Sequence, residues 1–384
     1  MVIGVPKETF PGETRVGLVP GVLILVKRLG GEVIVETGAG LAAGVVDKEF
    51  EDKGARIASR DEVFSQSDVI VQVRTYGANP EAGKADLTQL KNGQIVIGFG
   101  EPLAEAELAK EFSQTGSTLF ALELLPRITR AQSMDVLSSM ATVAGYKAVL
   151  IAANELPRMF PMMMTAAGTV APAKVLVIGA GVAGLQAIAS AKRHGAVVSA
   201  YDVRPAVKEQ VESLGTKFVE MELETTGAED KGGYAKEMGE EFIRKQRELM
   251  TKVVAENDIV ITTAAIPGKK SPILVTEEMV KGMQPGSVIV DLAAERGGNC
   301  ELTKPGEIVE HNGVRIFGPL NLAGKIPVNA SSLYARNLLA FLDIMIDKTE
   351  KVLKVDWDDE IIKGTLVAKD GKIVHPSLQP QGAA

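Results

Sequence analysis

The clearest indication of the fold is the segment KVLVIGAGVAGLQAIASAKRHGAVVSAYD, residues 174–202. A β-branched run leads into the pattern G-x-G-x-x-G at Gly179, Gly181 and Gly184, and a helical pattern follows. This order is typical of a strand–turn–helix unit that binds a dinucleotide. We expect the first glycine to allow a tight turn and the second to let the backbone approach a pyrophosphate. The third should let the helix pack close to the strand.

A second β-branched run ends at Asp202, at close to the roughly 20-residue spacing of such units. An acidic side chain here accepts hydrogen bonds from the adenosine ribose, and its charge repels a 2′-phosphate. The sequence therefore predicts NAD(H) rather than NADP(H) as the cofactor. Arg204 leaves an alternative open, because an arginine at this place can accommodate the 2′-phosphate. A plain helix or turn cap is the structural alternative for Asp202.

Composition limits the class of protein. The 384 residues are 46% hydrophobic, enough for two buried cores, and 39 glycines with 4% aromatic residues favour α/β domains with tight turns. A net charge of −7 without a basic run argues against a nucleic-acid partner. The single cysteine, Cys300, excludes an internal disulfide and fits a reducing compartment. We interpret it as a bystander thiol rather than a nucleophile.

Two apolar segments have competing interpretations. The charge-free run 175–191 is almost long enough to span a membrane, but it divides into strand, turn and helix. No transmembrane segment and no signal peptide are therefore predicted. Met162 to Met164 resemble a soft-metal site, but no cysteine or histidine is close in sequence. We interpret them as packing at a domain junction, and no metal site is predicted.

Short β-branched runs alternate with helical patterns along the whole chain, which predicts an α/β protein. Specifically, we expect two Rossmann-like domains, each a doubly wound parallel sheet, separated by a cleft. The first domain is placed at 1–137 plus 330–384, with the C-terminal segment returning to complete it, and Asp370-Gly371 predicts a hairpin. The NAD(H)-binding Rossmann domain is placed at 138–329. The expected strands lie within 2–5, 33–36, 68–73, 94–99, 118–123, 174–179, 197–201, 258–263, 287–292 and 314–318.

Histidine is scarce, and none of His194, His311 and His375 is placed for catalysis by its sequence context. His194 is expected only to end the helix that follows the glycine turn. A dehydrogenase that acts on an amino acid or a hydroxy acid moves a proton as well as a hydride, although Asp, Lys or Tyr can replace His. Hydride transfer between two nicotinamide rings needs no base. Such an enzyme has only to hold its ring in the correct pose.

Longer segments carry a family resemblance. IGVPKETFPGETRVGLVP (3–20) resembles the superfamily of alanine dehydrogenases and transhydrogenase α subunits. The segments 126–153, 160–193 and 232–242 resemble domain I, the NAD(H)-binding component of proton-translocating nicotinamide nucleotide transhydrogenase. Alanine dehydrogenases typically carry a lysine where this chain has Arg74, and a histidine in the next strand, which this chain lacks. An alanine-type amino-acid dehydrogenase remains the alternative function, and a catalytically silent NAD(H) sensor is a third.

The resemblance implies roles for individual residues. Arg127 and Asp135 would position each other and the nicotinamide carboxamide, Ser138 would add a hydrogen bond, and Gln132 would reach toward the partner's nucleotide. These four are the predicted catalytic residues. A mobile loop with Tyr234 would close over bound NAD(H). The predicted cofactor-binding residues are Arg127, Ile128, Thr129, Gln132, Gly179, Gly181, Val182, Gly184, Asp202, Val203, Arg204, Gly233, Tyr234, Met238, Ala264, Ala265 and Ile266.

Two further assignments have a different origin. Ala264, Ala265 and Ile266 are chosen because they follow a predicted strand of the second domain, where this fold places contacts to the nicotinamide side. Arg15 would bind a substrate carboxylate in an alanine dehydrogenase, and we interpret it here as part of a structural ion pair.

The resemblance also implies partners. The chain would be the hydride-donor half of NADH + NADP⁺ ⇌ NAD⁺ + NADPH and would act only with other subunits. These are a membrane α2-type subunit and a β subunit that binds NADP(H), with proton translocation in the membrane region. The component would be a homodimer in the cytoplasm, peripheral to the inner membrane through its partners.

Overall fold

A computed structural model describes residues 1–220, 240–265 and 270–379. The strands are β1 Val2–Val5, β2 Glu32–Glu36, β3 Arg56–Ala58, β4 Val69–Arg74, β5 Ile95–Phe99, β6 Thr118–Ala121, β7 Met163–Thr165, β8 Gly168–Val170, β9 Lys174–Ile178, β10 Val197–Tyr201, β11 Lys217–Phe218, β12 Ile259–Thr262, β13 Val288–Asp291, β14 Ile308–His311, β15 Val314–Phe317, β16 Ile346–Asp347, β17 Val352–Leu353, β18 Leu366–Lys369 and β19 Lys372–Ile373. The α-helices are α1 Pro20–Arg28, α2 Asp47–Asp52, α3 Arg60–Gln66, α4 Ala106–Ser113, α5 Val136–Glu155, α6 Val182–Arg193, α7 Lys208–Ser213, α8 Glu240–Ala255, α9 Glu277–Lys281, α10 Pro327–Asp343 and α11 Glu360–Thr365.

The chain divides into two compact units, Met1–Met140 with Ala323–Ala384, and Ala141–Leu322. The first unit contains an eight-stranded sheet in the order β19-β18-β6-β5-β4-β1-β2-β3. Strands β1 to β6 pair in parallel, and β18 joins β6 antiparallel, so the C-terminal segment extends this sheet. The β18–β19 hairpin turns at Asp370 and Gly371, both with positive φ, which confirms the predicted hairpin.

The second unit contains a seven-stranded sheet in the order β11-β10-β9-β12-β13-β15-β14. All of its pairs are parallel except β14 with β15. The chain order reverses at β9, which lies between β10 and β12, as in dinucleotide-binding sheets. The predicted α/β class is confirmed, and each expected run contains a strand. The carboxyl ends of β9 and β12 meet at the switch point, where such sheets bind ligands.

Helix α5 runs across the division between the units, close to the predicted domain boundary at 137/138. It is 20 residues long with a mean hydropathy of 1.5, and it is the one helix in the described ranges that could cross a membrane by length and composition. Its second half belongs to a protein core, because Ala148, Val149 and Ala152 are fully buried. A Cβ on Gly145 would lie 2.1 Å from the carbonyl oxygen of Ala183, so α5 and α6 pack backbone to backbone.

The interpretation of the methionine run is wrong. Met162, Met163 and Met164 are 60%, 44% and 81% exposed, so they are not packed at a junction. The segment folds back on itself at Ala167, whose N–H donates to the Thr165 hydroxyl, and β7 pairs antiparallel with β8. The result is a short hairpin whose residues are all exposed.

Candidate functional site: the glycine turn and its surroundings

The three glycines after β9 have three different environments. Gly179 has φ +94°, and its carbonyl oxygen accepts a hydrogen bond from the Thr263 hydroxyl at 2.9 Å. Gly181 caps helix α6, and an ideal Cβ there would have its nearest neighbour at 4.0 Å, in Arg204. A Cβ on Gly184 would lie 1.9 Å from the Gly179 carbonyl oxygen. The turn is therefore tight at Gly179, open at Gly181 and closely packed at Gly184.

The open position faces the start of helix α6, where the first backbone N–H groups have no partner within the helix. Together with the helix dipole, these groups favour an anion such as a pyrophosphate. Val182, the first residue of the helix, is 41% exposed beside this opening. The local geometry fits a diphosphate close to the backbone.

Asp202 is held in place from both sides. One of its carboxylate oxygens accepts the backbone N–H of Ala180 at 2.7 Å, which ties the end of β10 to the glycine turn. The Arg204 guanidinium binds both oxygens, at 2.9 and 2.8 Å, and the Arg204 backbone N–H also donates to this carboxylate. The side chains are 5% and 15% exposed, so the pair is largely shielded from water. Between them, Val203 packs against the core of the unit.

This geometry bears on the alternative that the sequence left open. The fork of Arg204 is engaged by a carboxylate two residues away, so a 2′-phosphate would have to compete with Asp202 for it. The ribose hydroxyls of a bound dinucleotide would in turn share Asp202 with Arg204. Both relationships favour a cofactor without a 2′-phosphate.

The segment after β12 lies directly against the glycine turn. An ideal Cβ on Gly179 would be 2.7 Å from the Thr263 hydroxyl and 3.1 Å from the backbone nitrogen of Ala264. Ala264 is partly buried and Ala265 is exposed, so their backbone forms one wall of the opening. The sequence placed these two residues at a strand end, and that placement is confirmed. Ile266, Gly233, Tyr234 and Met238 lie outside the described residues, and their roles stay predictions.

Sequence reasoning missed Asn299 and Asp291, which are both fully buried in this region. The Asn299 amide bonds to both backbone polar groups of Ala264, at 2.9 and 2.8 Å. The Asp291 carboxylate, at the end of β13, accepts the backbone N–H of Asn299 at 2.7 Å. The signal that could have found them is Gly297-Gly298 just beyond a predicted strand, since both glycines have positive φ.

The predicted nicotinamide loop lies in the first unit. Residues Thr129–Met134 form a 3₁₀ turn in which Ala131 and Met134 are buried. Gln132, Arg127 and Thr129 are exposed, and Ile128 is partly buried. The turn therefore presents its polar side chains outward while its apolar side chains hold it to the fold.

Contacts at both ends fix this turn. The Asp135 carboxylate accepts the backbone N–H of Ser138 at 2.9 Å and its hydroxyl at 2.5 Å, which caps the start of α5. The Asn337 amide donates to the Ser133 carbonyl at 2.8 Å. Arg130 makes a bidentate ion pair with Asp359, at 2.6 and 2.9 Å. The structure thus brings Asp135 and Ser138 together, and the expected pairing of Arg127 with Asp135 stays a prediction.

The histidines have structural contacts. His194 caps α6, and its ring nitrogen lies 2.9 Å from the Ser190 carbonyl oxygen, which confirms its expected place at the helix end. His375 contacts the Gly364 carbonyl oxygen, and burial lowers its pKa. His311 lies 3.6 Å from Glu277 on the surface. Cys300 is buried, and burial raises the pKa of its thiol to about 11, which fits a bystander.

Arg15 belongs to a buried ion-pair cluster in the first unit. Its guanidinium binds both oxygens of Glu13 at 2.7 Å, and Arg74 binds the same carboxylate at 3.0 Å. Burial alone would raise the pKa of Glu13, but the two guanidinium groups outweigh it and lower the pKa to about 2. The interpretation of Arg15 as part of a structural ion pair agrees with this geometry.

Glu8 lies beside this cluster in a different environment. The Glu8 side chain is partly accessible as a whole, but its carboxyl group is enclosed and accepts the backbone N–H groups of Val73 and Arg74 at 2.6 and 3.2 Å. Burial outweighs these donors, the Glu13 charge adds to its effect, and the pKa of Glu8 rises to about 8. Folding should therefore bind a proton at Glu8 between about pH 5 and pH 8.

We expect the free energy of unfolding to fall as the pH rises through this window, since the folded state holds the extra proton. In Glu8→Gln that contribution to the pH dependence should be absent, whereas Glu32→Gln, at an exposed position, should keep the wild-type slope. Urea unfolding at several pH values measures it. Equal slopes in Glu8→Gln and the wild type would contradict the assignment.

Sequence comparisons cover both halves of the chain. The profile described as "Alanine dehydrogenase/PNT, N-terminal domain" matches residues 4–144, and the one described as "Alanine dehydrogenase/PNT, C-terminal domain" matches residues 148–376. The chain belongs to the alanine dehydrogenase/PNT family. This confirms the resemblance found in its sequence.

Individual members of the alanine dehydrogenase/PNT family are similar over nearly the whole length. The first of the separate chains that make up NAD(P) transhydrogenase subunit alpha of Rhodospirillum rubrum is 51% identical over 385 residues, with 100% of both chains covered. The crystal structure of transhydrogenase from Sinorhizobium meliloti superposes with a TM-score of 0.87 at 47% identity, covering 97% of this chain and 100% of that one. Alanine dehydrogenase of Bacillus subtilis is 30% identical, with 98% of this chain and 94% of the relative covered.

Proposed function

We propose that the chain is the NAD(H)-binding component of an NAD(P) transhydrogenase. It donates the hydride of NADH to NADP⁺ held by a β subunit, and membrane subunits, including an α2-type subunit, couple this step to proton translocation. The observation that carries the proposal is the glycine turn with Asp202 attached to it through Ala180 at 2.7 Å. The similarity to transhydrogenase α subunits supports the choice of reaction.

The second unit holds the cofactor. Gly179, Gly181, Val182 and Gly184 surround the pyrophosphate at the start of α6, because Gly181 leaves room for it. The cofactor supplies the hydride, and the protein binds and orients it. Asp202, Val203 and Arg204 hold the adenosine ribose. Ala264 and Ala265 with Ile266 contact the nicotinamide side, and Gly233, Tyr234 and Met238 close over it.

The first unit supplies the reacting-side loop. Arg127, Ile128 and Thr129 bind the nicotinamide end, and Asp135 with Ser138 keeps the loop rigid through the 2.5 Å contact between them. Gln132 is exposed, as a residue that reaches toward a second nucleotide has to be. Neither ring exchanges a proton, so the chain can assign its three histidines to structural contacts. The functional domains are 1–137 plus 330–384 and 138–329.

A mixing experiment tests this function. The chain is combined with the NADP(H)-binding β subunit of a transhydrogenase, and hydride transfer from NADH to an NADP⁺ analogue is followed. We expect transfer only when both proteins are present, and no reduction of NAD⁺ by L-alanine with the chain alone. Efficient L-alanine oxidation would instead establish an amino-acid dehydrogenase. NADH binding without transfer would establish a sensor.

Gln132→Asn should slow hydride transfer on the order of 100-fold at saturating NADH, because shortening the side chain removes its reach toward the second nucleotide. NADH affinity should stay near the wild-type value. The mixing assay and a calorimetric NADH titration measure the two effects. Gln114→Asn, at an exposed position after α4, is the matched control and should change neither. Equal losses of rate and affinity would contradict the role of Gln132.

The component is a homodimer in the cytoplasm and is held at the inner membrane by its partner subunits. The β7–β8 hairpin supports a dimer, because an exposed apolar surface of this kind is typical of protein contacts. We expect Met164→Glu to weaken the dimer at least about tenfold, since a charge would be buried in the contact. Met159→Glu, at a 49%-exposed position outside the hairpin, should leave it intact. Sedimentation equilibrium measures both, and an unchanged dimer in Met164→Glu would rule the hairpin out.

A further inference from the structure

The backbone that follows β12 is held by a single side chain. The Asn299 carbonyl oxygen accepts the backbone N–H of Ala264 at 2.9 Å, and its amide nitrogen donates to the carbonyl oxygens of Ala264 and Pro272 at 2.8 and 2.9 Å. Asn299 thus pairs with Ala264 as a neighbouring strand would. The segment has left the sheet at this point, so the side chain replaces the missing strand.

These bonds leave the amide one orientation. A flipped Asn299 would place its NH₂ group against the Ala264 N–H and its oxygen against two carbonyl oxygens. The residue is fully buried, so water cannot replace a lost partner. Each polar atom that is left unpaired in such a place is costly.

Asp291 holds Asn299 from behind. Its carboxylate is also fully buried and accepts the backbone N–H groups of Asn299 and Cys300, at 2.7 and 3.0 Å, and the Thr303 hydroxyl at 2.7 Å. A Cβ on Gly298 would lie 2.7 Å from this carboxylate, and the residue has φ +80°. The glycine lets the chain wrap closely around Asp291 and aims Asn299 at Ala264.

The same segment touches the glycine turn. Thr263 donates to the Gly179 carbonyl oxygen, and its own backbone N–H donates to Ile178 at 2.9 Å. A continuous set of buried contacts therefore runs from Asp291 through Asn299 and Ala264 to the pyrophosphate turn. A shift of Asn299 would move Ala264 and Ala265 relative to the turn.

We propose that Asn299, aimed by Asp291, is a positioning residue that fixes the Ala264–Ala265 backbone as the wall against which the nicotinamide ring is held in its reactive pose. This inference rests on the proposed function, since it assigns these two alanines to the nicotinamide side. It predicts a defect confined to the nicotinamide half of the dinucleotide. The adenosine half, held at Asp202, should bind normally.

The test uses Asn299→Asp in the full chain. This substitution preserves size but turns the donor group into an oxygen that faces the carbonyl oxygens of Ala264 and Pro272. Asn257→Asp is the matched control, because Asn257 is also a buried amide of the second unit and its amide nitrogen bonds to Val253 at the end of α8. Asn299→Ser, which removes the amide without adding a charge, is the second variant in case the first does not fold.

Four readouts separate positioning from general damage. They are the affinity for ADP-ribose, the affinity for NADH, the fluorescence of the reduced nicotinamide in bound NADH, and hydride transfer at saturating NADH with the β subunit. We expect wild-type ADP-ribose affinity, altered emission from bound NADH, and transfer slowed on the order of 100-fold. Deuterium placed on one face of the ring should also be transferred with lower stereospecificity.

The inference is overturned if ADP-ribose and NADH affinities fall together, or if emission and rate change no more than in Asn257→Asp. Loss of hydride transfer in the wild type would overturn the proposed function instead. In that case the ADP-ribose and fluorescence comparison still tests the positioning role by itself.

Discussion

Gly184→Ala should lose both cofactor binding and stability. The added Cβ would lie 1.9 Å from the Gly179 carbonyl oxygen and 3.2 Å from the Thr263 hydroxyl, so helix α6 must move away from β9. Overpacking of this kind costs about 1–3 kcal/mol of stability. Displacing the first turn of α6 also removes the pyrophosphate site, and we expect NADH affinity to fall on the order of 100-fold.

Two further glycines provide matched controls for this prediction. Gly181→Ala has room for its Cβ and should keep its stability, but it should bind NADH weakly because the methyl group meets the pyrophosphate. Gly21→Ala, in helix α1 with nothing within 4 Å, should lose neither. Calorimetric titration and urea unfolding measure the two quantities. A Gly184→Ala protein with wild-type affinity would show that the dinucleotide does not lie on this turn.

Asp202→Asn should change the choice of cofactor. The substitution removes the charge that engages the Arg204 guanidinium and frees its fork for a 2′-phosphate. Hydrogen bonds to charged groups contribute about 1.5–3 kcal/mol, so the preference for NADH over NADPH should fall roughly 10- to 100-fold. Calorimetric titration of each variant with both nucleotides measures this preference.

A second substitution shows whether Arg204 is responsible. In the Asp202→Asn background, Arg204→Ser should remove the gain in NADPH affinity and leave NADH affinity nearly unchanged. If the wild type binds NADPH more tightly than NADH, the assignment of NAD(H) is wrong. If Asp202→Asn gains nothing for NADPH, Arg204 does not reach the 2′-phosphate.

The sequence predicted what depends on local pattern. The β-branched runs indicated the strands of both sheets, and the spacing of Gly179, Gly181 and Gly184 indicated the tight, open and packed positions of the turn. The ion pair of Arg15 could be expected because its partner, Glu13, is two residues away. Each of these features is set by residues that are neighbours in the chain.

Features that depend on distant residues could not be predicted. Asn299 and Ala264 are 35 positions apart, and nothing in either neighbourhood indicates the other. The exposure of Met162–Met164 was missed because composition alone does not distinguish a buried apolar run from a projecting hairpin. The engagement of Arg204 by Asp202 depends on side-chain geometry, so the sequence left both interpretations of that pair open.

The return of β18 to the first sheet has a consequence for synthesis on the ribosome. Strand β6 has an unpaired edge until Leu366–Lys369 has emerged, long after the second unit is complete. The inserted unit can therefore fold first, while the N-terminal sheet still presents an open edge that invites pairing with other chains. Nascent chains that stall before β18 should depend most on chaperones.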